Sequence, residues 1–85
     1  MITLNDVLKL TDGITEIVDI CYRGDEDKYP TIFYGRVSHA RNRAEYHGVE
    51  EKMSIDEILE IPVKGISSYY DEGVKHSVLM IMLNW

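Results

Sequence analysis

Cys21, His39, His47 and His76 are the residue types in this sequence best suited to metal binding or nucleophilic catalysis. A zinc centre needs three or four such ligands converging on the ion, with Zn–N near about 2.0 Å. These four are far apart in the chain and stand at no ligand spacing. A Cys21–His dyad would need an oxyanion-binding element beside it, and no glycine-rich loop accompanies the cysteine. Asp25 and Asp27 begin the oxygen-ligand pattern of a calcium loop, yet Tyr29 stands where the next ligand belongs. Dinucleotide, phosphate-loop and serine-hydrolase motifs are absent. The expectation is a noncatalytic protein with no cofactor and no metal site.

Charge gives a second lead. The formal net charge is −6, which disfavours nonspecific binding to phosphate backbones or anionic lipid. The excess sits in the second half: within residues 45–60, Glu45, Glu50, Glu51, Asp56, Glu57 and Glu60 face only Lys52. Immediately upstream, Arg36, His39, Arg41 and Arg43 form a basic segment without an acid. Arginine forks suit phosphates, so Arg36, Arg41 and Arg43 are the candidates for nucleic-acid contact, although three phosphates would give weak and salt-sensitive binding. Carboxylates along a loop and helix face suit a basic groove instead. Glu50, Glu51, Asp56, Glu57 and Glu60 are the candidates there, with Tyr46 as a packing anchor. Six tyrosines against one phenylalanine also favour surfaces where a large ring keeps a wet hydroxyl.

Positioning these residues requires a fold, and 85 residues with 45% hydrophobic and 28% charged composition make one soluble domain with a small core. Thr3 and Asp6 form a capping box that starts a short helix at Leu4, with Ile2 and Val7 as its staple and Asp12-Gly13 as its stop. From Ile14 the period falls to two, placing Val18, Ile20 and Tyr22 on one face of a strand and Asp19 and Cys21 on the other. A polar loop precedes a second strand over residues 31–39, with Phe33 and Val37 on one face, and the two strands are expected to pair as a hairpin. Gly35 suggests a bulge or a close approach. Residues 40–52 carry no period and read as a loop or irregular helical turn. Ser54 and Glu57 box the start of a second helix from Ile55 to about Glu60, and Pro62 stops it. Two final strands flank Asp71-Glu72-Gly73, read as a three-residue loop with glycine in the left-handed position. The last strand is apolar on both faces at Met80, Ile81, Met82 and Leu83, so it belongs inside the sheet. The expected architecture is α+β, in the order αββαββ, with both helices on one side of a four-stranded, mainly antiparallel sheet.

This pattern resembles small uncharacterised proteins encoded by phages and other mobile elements of Firmicutes. The likeness is carried by Thr3-Leu4 opening a short helix, Thr15-Glu16-Ile17-Val18 as first strand, Gly35-Arg36-Val37-Ser38 in the second, and residues 63–83 as a closing hairpin. It implies a bacterial cytoplasm during phage infection or element transfer, where such proteins are often host-defence antagonists, anti-CRISPR proteins among them. A lone cysteine fits a reducing compartment, the first residues lack the pattern of a signal peptide, and the longest apolar run is far shorter than a membrane span. The expected function is protein binding, with a host or phage protein as partner. Trp85 at the end of an apolar strand would be exposed by fraying, and burial against the domain's own sheet or a second copy would cover it, with a homodimer the favoured reading.

Overall fold

The computed structural model describes residues 1–13 and 16–85. Six elements carry the fold: α1 (Leu4–Thr11), β1 (Ile17–Tyr22), β2 (Thr31–Arg36), α2 (Ile55–Leu59), β3 (Val63–Asp71) and β4 (His76–Leu83). Short 3₁₀ turns at Asp25–Asp27, Val37–His39 and Arg43–Glu45 shape the connections. No described helix is long and apolar enough to cross a membrane.

Both helices start where their side chains supply the missing acceptors. The Thr3 hydroxyl accepts from the Asp6 amide (3.3 Å) while Asp6 Oδ2 accepts from the Thr3 amide (3.0 Å). Ser54 and Glu57 repeat the exchange at 3.2 and 3.1 Å. Each box satisfies two amides that have no partner within the helix. At the other end of α1 the Asp12 amide returns to the Leu8 carbonyl (3.0 Å), and Gly13 turns the chain at φ +81°, a conformation that glycine adopts without strain. Ile2 stays exposed and does not bury itself as a staple; its carbonyl accepts from the Val63 amide instead (2.8 Å).

The four strands lie in the order β2-β1-β4-β3. The mainly antiparallel sheet read from the sequence is a mixed one. The β1/β2 and β3/β4 hairpins are antiparallel, and the central β1/β4 pair is parallel, in register from Val18↔Leu79 to Tyr22↔Leu83. The second hairpin enters with β4 inward, so that β4 has a paired strand on each edge. Its two apolar faces are buried only if both edges of the strand are paired.

Leu4, Val7 and Leu8 of α1 and Ile58 of α2 join Val18, Ile20, Ile81 and Leu83 in one buried cluster, so both helices cover the same face. Phe33, Val37, Ala40 and Tyr46 extend that core beyond β2.

Several local expectations are corrected. The second strand stops at Arg36, and Val37–His39 is a 3₁₀ turn that drops Val37 into the core. The bulge lies opposite the Ile20/Cys21 step, not at Gly35. At Gly35 a Cβ would stand 3.5 Å from the Phe33 ring, an ordinary van der Waals contact, so no close approach requires glycine there. The closing hairpin turns through residues 72–75, and the left-handed position near its end belongs to Lys75 (φ +53°), not Gly73. The expected strand start at Ile14, and Thr15 of the resemblance, lie outside the described residues.

The burial pattern sets a stability contrast. Ile81 is fully buried in the central strand and Ile66 is exposed on the edge strand. Ile81→Ala is expected to lose about 2–5 kcal/mol in urea denaturation, and Ile66→Ala about 0.5 kcal/mol or less.

Candidate functional site: the uncovered face of the sheet

Opposite the helices the sheet carries no layer among the described residues. The strand register assembles this face from Asp19 and Cys21 of β1, Thr31 and Tyr34 of β2, Ser67, Tyr69 and Asp71 of β3, and Val78, Met80 and Met82 of β4. Its centre is Asp19, a carboxylate on an inner strand only 9% exposed. Burying a charge there is unfavourable unless it is hydrogen-bonded. Two hydroxyls from different strands satisfy that demand: Thr31 Oγ1 donates to Asp19 Oδ1 (2.8 Å) and Tyr69 Oη donates to Oδ2 (2.9 Å). No lysine or arginine pairs with Asp19 among the described residues. A second hydroxyl–carboxylate pair lies alongside, where Tyr34 Oη donates to Asp71 Oδ2 (2.6 Å).

These bonds set the protonation states. Tyr34 is pushed up to about 12, first by donating to Asp71 and then by burial and the nearby carboxylates. Tyr69 is raised too, by burial foremost and then by its bond to Asp19. Asp71 is lowered by the Tyr34 hydroxyl and by the amides of Gly73 and Val74. These bonds thus keep Asp71 ionised and the two phenols neutral at physiological pH. Cys21 is buried beneath it, and burial together with the charge of Asp19 raises the thiol. A nucleophilic cysteine requires the opposite, an exposed thiol with a lowered pKa.

The residues singled out by sequence are placed elsewhere. Among the described residues no three His, Cys, Asp or Glu side chains converge as a metal site. His76 lies at the start of β4 with Nε2 3.3 Å from Glu16 Oε2. Asp27 is held by Arg23, and Lys28 lies 3.7 Å from Glu26, so the loop tip uses its charges internally. Glu50, Glu51, Asp56, Glu57 and Glu60 are exposed on residues 50–60. Glu57 is engaged in its capping box. Tyr46 is no surface anchor: it is 4% exposed, its ring meets Phe33 at 5.1 Å, and its hydroxyl donates to the Ala40 carbonyl (2.6 Å).

Arg43 is the largest surprise of the basic segment. Its guanidinium donates to three backbone carbonyls, those of Met53 (2.7 Å), Glu50 (3.0 Å) and Tyr46 (3.4 Å). One fork therefore ties the irregular 43–53 segment together. Arg41 donates to the Asn5 side chain (3.2 Å), and Arg36 is exposed. The three arginines do not form a shared phosphate-facing set.

Sequence reasoning placed Asp19 and Cys21 on one side of the first strand but missed the hydroxyls that converge on them. The available signal was the tyrosine excess, whose partners lie 37 and 50 residues away for Tyr34 and Tyr69.

Two outcomes follow from these bonds. A phenol whose folded pKa lies above its ordinary value of about 10 contributes stability that is intact below that pH and is lost as pH climbs through the folded value, near 12 for Tyr34. The urea midpoint is expected to fall over that window, and to fall less in the Tyr34→Phe, Tyr69→Phe double variant. Arg43→Ala is expected to lose about 1–3 kcal/mol in the same measurement. Arg43→Lys should recover only part of that, because an ammonium cannot fork to three carbonyls, and hydrogen exchange of residues 43–53 should report the loosening.

No protein-family model, curated protein or solved structure matches this chain, so its functional reading rests on the geometry above.

Proposed function

We propose that this protein is a noncatalytic protein-binding module whose uncovered sheet face engages a basic partner surface. The observation that carries the reading is the Asp19 carboxylate, hydrogen-bonded on an inner strand by hydroxyls alone and bordered by Tyr34 and Tyr69, which remain 41% and 39% exposed. Tyrosine and methionine are enriched in protein interfaces, where charged residues are otherwise depleted from the core. Tyr34, Tyr69, Met80 and Met82 surround the charge in that manner on a rigid scaffold. A net charge of −6 favours encounter with a cationic partner and opposes nucleic acid. In the phage or mobile-element setting that the resemblance implies, the partner would be a host protein.

A second reading has its own observation. Glu50, Glu51, Asp56 and Glu60 are exposed and form no ion pair among the described residues, which suits an anti-CRISPR-type inhibitor that occupies the basic groove of a nucleic-acid-handling complex. Direct nucleic-acid binding through Arg36, Arg41 and Arg43 is weaker, since Arg43 is committed to its own backbone.

One affinity-capture experiment from a bacterial host separates the two. The Tyr34→Ala, Met80→Ala double variant should lose at least about tenfold in partner recovery if the sheet face is used, since anchors of this kind contribute about 2 kcal/mol or more. Reversal of Glu50, Glu51 and Glu60 to Lys should leave recovery unchanged. The converse result selects the acidic segment. Retention by both variants rejects both surfaces.

A further inference from the structure

The two edges of the sheet differ in what covers them. Alongside β2 the chain folds back, and the His47 amide donates to the Ile32 carbonyl (2.9 Å). The β3 edge is covered only at its beginning, where Thr3 bridges Pro62 and the Val63 amide reaches Ile2. Beyond that point, residues 65–70 make no backbone hydrogen bond outside the β3/β4 hairpin among the described residues. Gly65, Ile66, Ser67, Ser68, Tyr69 and Tyr70 contain no charge and no proline, the usual protections of an edge. Ile66 and Tyr70 stand 55% and 60% exposed on it. Charges are confined to the ends, Lys64 at one and Asp71 and Glu72 at the other.

We propose that β3 pairs antiparallel with β3 of a second copy of this chain, about a two-fold axis through Ser68. A two-fold axis normal to the sheet keeps each side chain on its own face, so residues directly opposite one another must share a face. Centring on Ser68 meets that condition. It sets Ile66 across from Tyr70 of the second copy, and Tyr70 across from its Ile66, on the helix-covered side. It brings Lys64, at the β-bulge that precedes Gly65, to the level of Glu72 of the second copy, the first residue past β3, at both ends. The exposed apolar pair is covered twice, and opposite charges meet twice. Shifting the axis to Ser67 places Lys64 opposite Tyr70 and Ile66 opposite Ser68, and loses both matches. The second copy is thus the occupant whose chemistry this edge fits, with aromatic to aliphatic pairing across strands and complementary ends. The two four-stranded sheets become one, and both Asp19 faces lie on the same side of it. The pairing is independent of any partner of that face, and it is tested on the purified protein alone.

The test is a charge-reversal cycle followed by sedimentation velocity over a concentration series at low salt. The wild type is expected to associate reversibly to a dimer. Lys64→Glu and Glu72→Lys each set like charges together at two symmetry-related places and should weaken association roughly tenfold. The Lys64→Glu, Glu72→Lys double variant should return it to near the wild-type value. Lys75→Glu, outside the register, should have no effect. Ile66→Lys, at an exposed position, should give a folded monomer by circular dichroism and sedimentation. A wild type that stays monomeric at high micromolar concentration overturns the proposal. So does a dimer that is indifferent to the single reversals, or one that the double reversal fails to restore.

Discussion

The parallel pairing of β1 with β4 is the constraint on which the rest of the molecule depends. A two-stranded hairpin is marginal in water by itself, and this chain has two of them, separated by α2 and the irregular segment before it. Joining them through Val18↔Leu79 to Tyr22↔Leu83 brings Val18, Ile20, Ile81 and Leu83 together as one apolar surface. Only then do α1, which precedes the first hairpin, and α2, which precedes the second, have a common surface to cover. The Leu4 amide closes the arrangement by donating to the Ile61 carbonyl just after α2 (2.9 Å). Contacts between positions about 60 residues apart must form before this surface exists, so their loop-closure entropy is met early and rewarded late.

The same pairing creates the asymmetry between the two faces. Inner strands bury both of their sides in part, and β1 carries Asp19 and Cys21 on the side that no helix covers. Apolar residues on both sides of β1 would have given a more ordinary sheet. Asp19 stands there instead, and its two hydroxyl donors come from the two edge strands. Thr31 in β2 and Tyr69 in β3 thus reach toward the centre from opposite sides. The network spans the width of the sheet and fixes the tyrosine rings that border it. A charge stabilised by neutral donors leaves the surface net negative, whereas an arginine partner would have cancelled it.

What was legible in the sequence was local. Both capping boxes read correctly because each is a four-residue pattern, and β4 read as an inner strand because apolar residues on both faces have no other stable place. The direction of β1 relative to β4 was not legible, since either orientation satisfies the same alternation. Residues 40–52 showed no period because they follow the outer contour of β2 in short 3₁₀ turns, held by Asn42 capping Ala44 (3.1 Å) and by the Arg43 fork. There the side chains obey the local path of the chain and no single periodicity. Tyr46 read as a surface aromatic for that reason, though the absent period hid a core residue. The acidic residues after it read as exposed, and they are.

The treatment of the two edges also limits how far association can proceed. An edge strand left open invites indefinite growth when both edges of a sheet are free, because each added copy presents a new one. Here the chain itself meets the β2 edge at one point, where the His47 amide donates to the Ile32 carbonyl, while residues 65–70 of the β3 edge make no backbone hydrogen bond outside their hairpin among the described residues. Under the two-fold pairing inferred above, β3 is consumed in both copies and offers no further β3 edge to a third copy. Lys64 and Glu72 sit at the ends of the uncharged stretch, where they oppose a slipped register without placing a charge in its middle. The irregular segment thus meets one edge of the sheet at Ile32, while the opposite edge carries the uncharged stretch on which the inferred pairing rests.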